Sequence, residues 1–173
     1  DRVIETEKEG FVTGYVRSQE GRRVIATVQN AHERDIFYTG FEDDTGNTFS
    51  AKIGNKALTA AGSFTIPKSF TNTADLVMSY WGFDGSAWHF SGELPFSPQI
   101  TGSFSIIDEV RVYPLGAQMT TYNYKTGTVV RAVTDPNNVT TSYQYDDNLR
   151  LTEIHDQDGN LLKFIEYNQR PQN

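Results

Sequence analysis

The sequence predicts an all-β protein, a small β-sandwich followed by β-hairpins, and three observations support this fold class. Aromatic residues make up 13% of the 173 residues and hydrophobic residues only 37%, a balance typical of sheets that bury one face and expose the other. Turn residues interrupt the β-branched and aromatic runs about every ten positions, as in sandwiches and barrels. Helix signals are almost absent, and residues 29–35 form the only stretch that could hold a few helical turns.

Eight strands are predicted ahead of the C-terminal hairpins, and each is a short β-branched or aromatic run bounded by turn residues. Residues 11–17 and 23–28 flank a turn at residues 18–21, whose glycine can supply the positive φ of a hairpin. The further strands cover residues 36–39, 63–67, 75–81, 87–90, 103–107 and 109–113. We therefore divide the chain into an N-terminal hairpin segment (1–28), a β-sandwich (29–116) and C-terminal hairpins (117–173).

The C-terminal region repeats with a period in the low twenties. Tyr124, Tyr145 and Tyr167 recur at spacings of 21 and 22 residues, and Asp135 and Asp156 are also 21 residues apart. Such a period predicts a stacked array, in which each unit of two short strands needs a neighbour to bury its face. We therefore expect the three tyrosines at equivalent positions of successive units.

The repeating residues carry a resemblance to a known family. Residues 145–152 (YDDNLRLT), followed by residues 156–160 (DQDGN), resemble the tyrosine–aspartate (YD) repeat of the rearrangement-hotspot (RHS) family. Leu149 stands where the usual Tyr-Asp-x-x-Gly-Arg-Leu-Thr pattern has glycine, so the local turn can differ there. Residues 14–28 look like a degenerate hairpin of the same kind. The resemblance, over residues 117–168, implies a β-sheet shell with a scaffolding role on a bacterial surface or toxin-associated protein.

A second resemblance concerns the sandwich. Residues 37–44 (FYTGFEDD) and 106–112 (IIDEVRV) resemble the first and last strands of jelly-roll carbohydrate-binding modules, which run side by side and hold a structural calcium ion. This implies a jelly-roll-like sandwich in which Glu42 and Asp108 bind Ca²⁺, with Asp43 and Glu109 as weaker candidates. Calcium prefers carboxylate and carbonyl oxygens, which suits paired acids. Solvated acids at strand ends are the alternative interpretation.

Aromatic side chains are the candidate recognition elements of the sandwich. Residues 36–114 fall short of the roughly 100 residues of an immunoglobulin-type sandwich, so the ligand-binding sheet of the modules is expected to be truncated. Tyr80, Trp81 and Trp88 can each offer a flat apolar face to a sugar ring, and alternation places Tyr80 and Trp81 on opposite faces of their strand. In a small sandwich such rings more often belong to the core, which is the interpretation we favour.

Charge and composition argue against several partners. The net charge of −7 leaves no basic patch for nucleic acid or for an anionic membrane. No run approaches the roughly 18 apolar residues that span a bilayer, so direct membrane insertion is not expected. Without cysteine there are no disulfides and no thiolate metal sites. The chain opens with charged residues instead of a signal peptide, so we expect the export signal of an extracellular or cell-surface protein in another part of a longer chain.

Signatures of catalysis are poor. His32, His89 and His155 are not paired at metal-ligand spacing, and no Gly-x-Ser-x-Gly elbow occurs. Asp146 and Asp147 fit a turn better than a glycosidase pair. We therefore predict a non-enzymatic scaffold segment whose partners are neighbouring parts of the same long chain. The alternative is a carbohydrate-binding module that recognises a glycan through exposed aromatic residues.

Overall fold

The structure is a computed structural model that describes residues 3–43 and 51–167. Within them the chain forms sixteen β-strands and one 3₁₀ helix, Glu33–Asp35, which confirms the all-β fold class. The strands are β1 (Glu5–Lys8), β2 (Phe11–Arg17), β3 (Val24–Gln29), β4 (Phe37–Thr39), β5 (Leu58–Thr59), β6 (Ser63–Thr65), β7 (Leu76–Phe83), β8 (Trp88–Phe90), β9 (Leu94–Pro95), β10 (Gln99–Thr101), β11 (Ile106–Pro114), β12 (Gln118–Thr126), β13 (Val129–Thr134), β14 (Thr140–Tyr145), β15 (Leu151–His155) and β16 (Leu161–Phe164). None of the described residues belongs to a helix that is long and apolar enough to cross a membrane.

One eight-stranded antiparallel sheet, which we call the repeat sheet, takes strands from both ends of the chain. Its order is β1-β2-β3-β12-β13-β14-β15-β16, so that β3 pairs directly with β12. Gln29 at the end of β3 lies opposite Gln118 at the start of β12. Residues 30–117, which we call the insert, therefore leave and re-enter the repeat sheet at one pair of opposed residues.

The insert forms its own antiparallel sheet in the order β4-β11-β7-β8, with β5 beside β11 and β9 beside β7, and a separate β6–β10 pair. β4 and β11 pair side by side, as expected for the first and last strands, and Tyr38 lies opposite Arg111. The prediction of two strands at 103–107 and 109–113 is wrong, because β11 is a single strand. A bulge between Asp108 and Arg111, with Glu109 at φ +52°, interrupts its pairing with β7. Bulges re-aim side chains, which explains how polar residues fit this apolar strand. The likeness of the insert to jelly-roll modules stays a prediction.

Two hydrophobic cores stabilise the part of the molecule that the structure describes. One lies inside the insert and includes Leu76 and Met78. The other joins the insert to the repeat sheet, where Val28 and Met119 belong to the same cluster as Val77. Successive side chains of β7 point to opposite faces, so this strand contributes to both cores. Full burial of one side chain of this size stabilises the fold by about 1.5–3 kcal/mol. The second core therefore holds the insert firmly against the sheet.

The repeating tyrosines occupy equivalent positions, which confirms the prediction from their spacing. Each phenol donates a hydrogen bond to a backbone carbonyl near the start of a neighbouring strand: Tyr124 to Val24 (2.7 Å), Tyr145 to Val130 (2.7 Å) and Tyr167 to Leu151 (2.9 Å). The acceptor lies 15 and 16 residues earlier in the chain for the last two tyrosines, but 100 residues earlier for Tyr124. The insert accounts for the difference.

Aspartate turns close the later hairpins of the repeat sheet at Asp135, Asp146 and Asp156. In each turn the aspartate N–H donates to the carbonyl four residues later, and the carboxylate accepts from the N–H of that residue. In each turn the residue directly before the second partner has a left-handed backbone conformation: Asn138 (φ +63°), Leu149 (φ +59°) and Gly159 (φ +82°). Leu149 thus adopts the same turn as its glycine counterpart, in a conformation that is strained for a side chain with a Cβ.

The insert stands in the place of one aspartate turn. β13 and β14 are joined by the turn at Asp135, and β15 and β16 by the turn at Asp156, whereas the corresponding strands β3 and β12 are joined by the insert. The β2–β3 hairpin also belongs to the sheet, and there the Ser18 N–H donates to the carbonyl of Arg23 at 3.0 Å. The N-terminal hairpin thus continues the repeat sheet on the far side of the insert.

Candidate functional site

Two acidic side chains of the insert hold one loop, residues 52–56, which we call the junction loop. Asp108 Oδ2 accepts hydrogen bonds from the backbone N–H groups of residues 52 and 53, at 3.0 and 3.1 Å. Glu42 Oε1 accepts from the backbone N–H groups of residues 55 and 56, at 2.6 and 2.9 Å. Hydrogen bonds to a carboxylate are about twice as strong as those between neutral groups. The two acids therefore fix both ends of the loop.

Gly54 allows the junction loop to approach the repeat sheet closely. Its φ is +86°, and a Cβ atom built on it would overlap both the side-chain amide of Asn123 in β12 and the carboxylate of Glu42. Arg131 of β13 donates a hydrogen bond to the side chain of Asn55 in the same loop. Only glycine satisfies both the backbone conformation and the space, so this residue sets the contact between loop and sheet.

The predicted calcium ligands, Glu42 and Asp108, are thus brought to the same loop. Their oxygens accept amide hydrogens, whereas a bound cation would need those oxygen lone pairs for itself. Among residues 3–43 and 51–167, no group of three or more histidine, aspartate or glutamate side chains could hold a metal ion. Of the weaker candidates, Asp43 pairs with Arg23 at 3.5 Å and Glu109 is buried in a separate network. The calcium site stays a prediction, which thermal melts with calcium and with a chelator test.

A buried polar network connects the insert with the repeat sheet. Glu109 Oε1 accepts from the hydroxyl of Tyr38 at 2.6 Å, and Glu109 Oε2 accepts from the hydroxyl of Thr121 in β12 at 3.3 Å. Arg111 Nη2 lies 3.6 Å from the same Oε2 and donates to Thr121 Oγ1 at 3.0 Å. Arg111 Nη1 also donates to the Asp135 carbonyl at 3.4 Å. Side-chain exposure is 2% for Arg111 and 1% for Glu109, so each charge depends on the other for compensation.

Burial controls the titration of the acids in this region. It raises the pKa of Asp108 well above its usual range, and the neighbouring charge of Glu109 adds to the effect. Burial also raises the pKa of Glu109, although the positive charge of Arg111 acts in the opposite direction. The hydroxyl of Tyr38 has a pKa well above its usual value, chiefly because it is buried and secondly because Glu109 is close. This region therefore holds its acids buried, which suits a structural role.

Four aromatic side chains share one face of the β7–β8 hairpin. Trp81 lies beside Phe90 with ring centroids 5.3 Å apart, and Phe83 lies beside Trp88 at 5.5 Å. Phe90 is 39% exposed and the other three rings are half-buried. Tyr80 packs against the core of the insert on the opposite face, as its position in the alternation predicted. The candidate carbohydrate residues therefore divide between two surfaces, with both tryptophans on the same one.

A cleft of about 350 Å³ lies between the insert and the repeat sheet. Trp81 and Lys52 line it from the insert, and Arg131, Asn138 and residues 156–159 line it from the repeat sheet. The ammonium group of Lys52 is 4.4 Å from the centroid of the Trp81 ring, a cation–π contact. Trp81 Nε1 and Asn138 Oδ1 are buried, and neither has a hydrogen-bond partner among the described residues.

One exposed turn contains the residue types of a hydrolase triad in a different arrangement. Ser86 Oγ donates to Asp84 Oδ1 at 2.8 Å, while His89 Nε2 lies 2.9 Å from Asp84 Oδ2. A serine nucleophile is activated by a base that hydrogen-bonds its own hydroxyl. Here serine and histidine bind opposite oxygens of the aspartate, so the group closes the turn between β7 and β8.

Sequence reasoning did not identify the junction loop, which includes Lys52 and Gly54, or the place of Asn138 in the cleft. Gly54 and Lys52 belong to no sequence motif. Their importance comes from contacts with strands far away in the chain. Asn138 could have been noticed, since it precedes the second partner of the Asp135 turn, a position where asparagine tolerates the left-handed conformation. Two opposite charges in the apolar strand 106–112, Glu109 and Arg111, were the available signal for the buried network.

Comparison with known proteins identifies one part of the chain. Residues 127–161 match a family model described as RHS Repeat. The match includes β13, β14 and β15 and all three aspartate turns. No curated protein matches the chain. The match supports the assignment of the C-terminal hairpins as an RHS repeat, which is a structural repeat found in cell-surface and secreted proteins.

Proposed function

We propose that this chain is a non-enzymatic scaffold segment of a secreted or cell-surface bacterial repeat protein, in which an RHS-type sheet carries an inserted β-unit. The observation that carries the proposal is the direct pairing of β3 with β12, with Gln29 opposite Gln118. The sheet is continuous across the insertion, so the insert adds a unit without breaking the array.

The contacts between insert and sheet support a fixed mounting, by which we mean that the insert keeps one orientation on the repeat sheet. A hydrophobic core that contains Val28, Val77 and Met119 crosses the boundary, and so does the network of Glu109, Arg111 and Thr121. Interfaces between mobile domains tend to be more polar and less tightly packed. We therefore expect the insert to keep one orientation on the sheet, as a structural segment requires.

Neighbouring parts of the same long chain are the partners we propose. The side chains of Leu162 and Phe164 in β16 are each 61% exposed, and Leu161 is 54% exposed. A strand with apolar side chains on both faces is suited to burial by a further unit of the array. Repeat units of this kind bury their faces only against neighbours.

Carbohydrate recognition is the second candidate function. It is favoured by the aromatic face of the β7–β8 hairpin, where Trp81, Phe83, Trp88 and Phe90 lie together and Phe90 is 39% exposed. Aromatic rings of this kind offer both an apolar face and, for tryptophan, a polar edge. The function would be added to the scaffold, since the hairpin lies on the insert.

The scaffold proposal predicts that insert and repeat sheet unfold together. Both tryptophans of the chain, Trp81 and Trp88, lie in the insert, so their fluorescence reports its unfolding. Hydrogen exchange of the amides in residues 129–155 reports the repeat sheet. In a urea series we expect coincident transitions, because buried contacts join the two parts. Loss of tryptophan signal at clearly lower urea, with the sheet amides still protected, would mean that the insert is an independent appendage.

A matched pair of variants sharpens this experiment. Thr121→Val removes a hydroxyl of the buried polar network at nearly constant size, whereas Thr152→Val makes the same change in β15, three strands away from β12 in the repeat sheet. We expect Thr121→Val to lower both transitions together and Thr152→Val to change neither by a comparable amount. A shift of the sheet transition alone in Thr121→Val would contradict the fixed mounting.

A further inference from the structure

The cleft between the insert and the repeat sheet contains an unused hydrogen-bond donor and an unused acceptor. Trp81 Nε1–H can only donate and Asn138 Oδ1 can only accept. Both atoms are buried without a partner among the described residues, and both side chains line the cleft. Buried polar atoms without a partner are rare in folded proteins. A ligand that accepts from the indole and donates to the amide would satisfy both.

The charges around the cleft favour a neutral ligand. Lys52 and Arg131 contribute positive charge, and Asp156 and Asp158 contribute negative charge. Lys52 is engaged with the Trp81 ring and Arg131 with the junction loop. Asp156 is engaged with its own turn, where its carboxylate accepts from residues 158 and 160. With both signs present, an ionic ligand would meet repulsion as well as attraction.

Two side chains already contact the Trp81 ring, which favours hydrogen bonding to its indole edge over stacking on the ring. Lys52 lies over the ring at 4.4 Å from the centroid, and Phe90 lies beside it at 5.3 Å with the ring planes tilted by 38°. Stacking of a flat ligand on the indole would displace one of these side chains. Hydrogen bonding to Nε1 requires no such change.

We propose that this cleft binds a neutral carbohydrate through the indole edge of Trp81 and the side-chain amide of Asn138. A hydroxyl group donates and accepts, so neighbouring hydroxyls of one sugar can satisfy both atoms. The volume of about 350 Å³ lies near the lower end of ligand clefts, roughly 300–1,000 Å³, and suits one or two rings. The site rests on the proposed mounting of the insert, since its two walls belong to the insert and to the repeat sheet.

Calorimetric titration of the full chain with the neutral disaccharides maltose, cellobiose and lactose tests the proposal. Trp81→Phe removes the donor but keeps an aromatic ring, and Asn138→Gly removes the amide at a position whose φ of +63° glycine accepts readily. Trp88→Phe separates this cleft from the aromatic face that is the other candidate sugar site, because Trp88 belongs to that face but does not line the cleft. It also leaves Trp81 as the only tryptophan, so that its fluorescence reports the cleft directly. Thermal melts verify that each variant is folded.

We expect at least one disaccharide to bind with a Kd of about 10 mM or tighter, and to change the fluorescence of the Trp88→Phe chain. Loss of one hydrogen bond should weaken binding about fivefold in Trp81→Phe and in Asn138→Gly, with Trp88→Phe unchanged. Absence of binding to all three sugars overturns the proposal, and so does an equal loss in Trp88→Phe. Absence of binding together with coincident unfolding transitions would leave the scaffold proposal standing. Separate transitions would overturn the scaffold whether or not a sugar binds.

Discussion

The repeat sheet and the insert are both antiparallel β-structures, but they are stabilised in different ways. Each later hairpin of the repeat sheet is closed by a partly exposed aspartate that bonds a residue four positions away, as Asp156 does. In the insert, Asp108 and Glu109 are buried, and their partners come from distant parts of the chain. The repeat sheet is thus assembled from local and interchangeable parts, whereas the insert depends on a few long-range contacts. The same chemical change should therefore have different consequences in the two regions.

Removal of one positive charge should show the largest difference. Arg111→Met is expected to lower the free energy of unfolding by about 3–5 kcal/mol, because Glu109 remains buried without its cation. Arg150→Met is the matched control, since Arg150 pairs with Asp146 at 2.8 Å in a partly exposed turn, where ion pairs contribute less than in the interior. Urea unfolding measures both. Equal losses in the two variants would remove the distinction between the regions.

Titration should separate the two regions by the sign of their pH dependence. Burial raises the pKa of folded Asp108 above its unfolded value near 3.8, so its contribution to stability is complete below that value and is lost as the pH rises through the folded pKa. Hydrogen bonds from the side chain and backbone of Asn160 lower the pKa of folded Asp156. Its contribution is therefore present above the unfolded value and is lost as the pH falls through the folded pKa.

The isosteric variants Asp108→Asn and Asp156→Asn test these signs. The measurement is the difference in free energy of unfolding between each variant and the unchanged protein, from acid to neutral pH. As the pH rises towards neutral, we expect Asp108→Asn to gain stability relative to the unchanged protein and Asp156→Asn to lose it. These trends are expected whatever the difference in stability at acid pH. Slopes of the same sign would mean that burial does not govern the titration of Asp108.

The smallest expected effect compares two turns within the repeat sheet. Leu149→Gly should raise the free energy of unfolding by about 1 kcal/mol, because φ +59° is strained for leucine and the side chain is 46% exposed. Gly159→Ala makes the reverse change at the corresponding position and should lower it by about the same amount. Thermal and urea unfolding of the pair check this. A loss of stability in Leu149→Gly would show that contacts of the leucine outweigh the backbone strain.

The repeat period in the sequence made it possible to predict the repeat sheet. The spacing of Tyr124, Tyr145 and Tyr167 predicted equivalent positions, and their hydroxyls do make the same kind of bond. The alternation in β7 likewise predicted that Tyr80 and Trp81 face opposite ways. For Tyr145, Tyr167 and β7 the interactions lie within a hairpin or a single strand, which the local sequence determines. Tyr124 makes its bond across the insert, and only the repeat period pointed to it.

Long-range contacts explain what the sequence could not reveal. Nothing near Gln29 marks its pairing with Gln118, because the register of β3 and β12 depends on the insert being bypassed. Asp108 fell between two predicted strands and Glu109 began the second. The burial of Glu109 became intelligible only with Tyr38, Arg111 and Thr121 around it. Trp81 was a candidate for sugar binding, but the cleft that it lines has a second wall from the repeat sheet.

The position of the insert has a consequence for the order in which the chain folds. Pairing of β3 with β12 must close a loop of roughly 90 residues instead of roughly five, and the (3/2)RT ln n relation makes this about 2.5 kcal/mol more costly in chain entropy. A folded insert removes most of that cost, since Phe37 near its start pairs with Val112 near its end. We therefore expect the insert and the C-terminal hairpins to form first and independently. The N-terminal hairpin then joins the sheet last, and the folded insert brings Gln29 opposite Gln118 for this pairing.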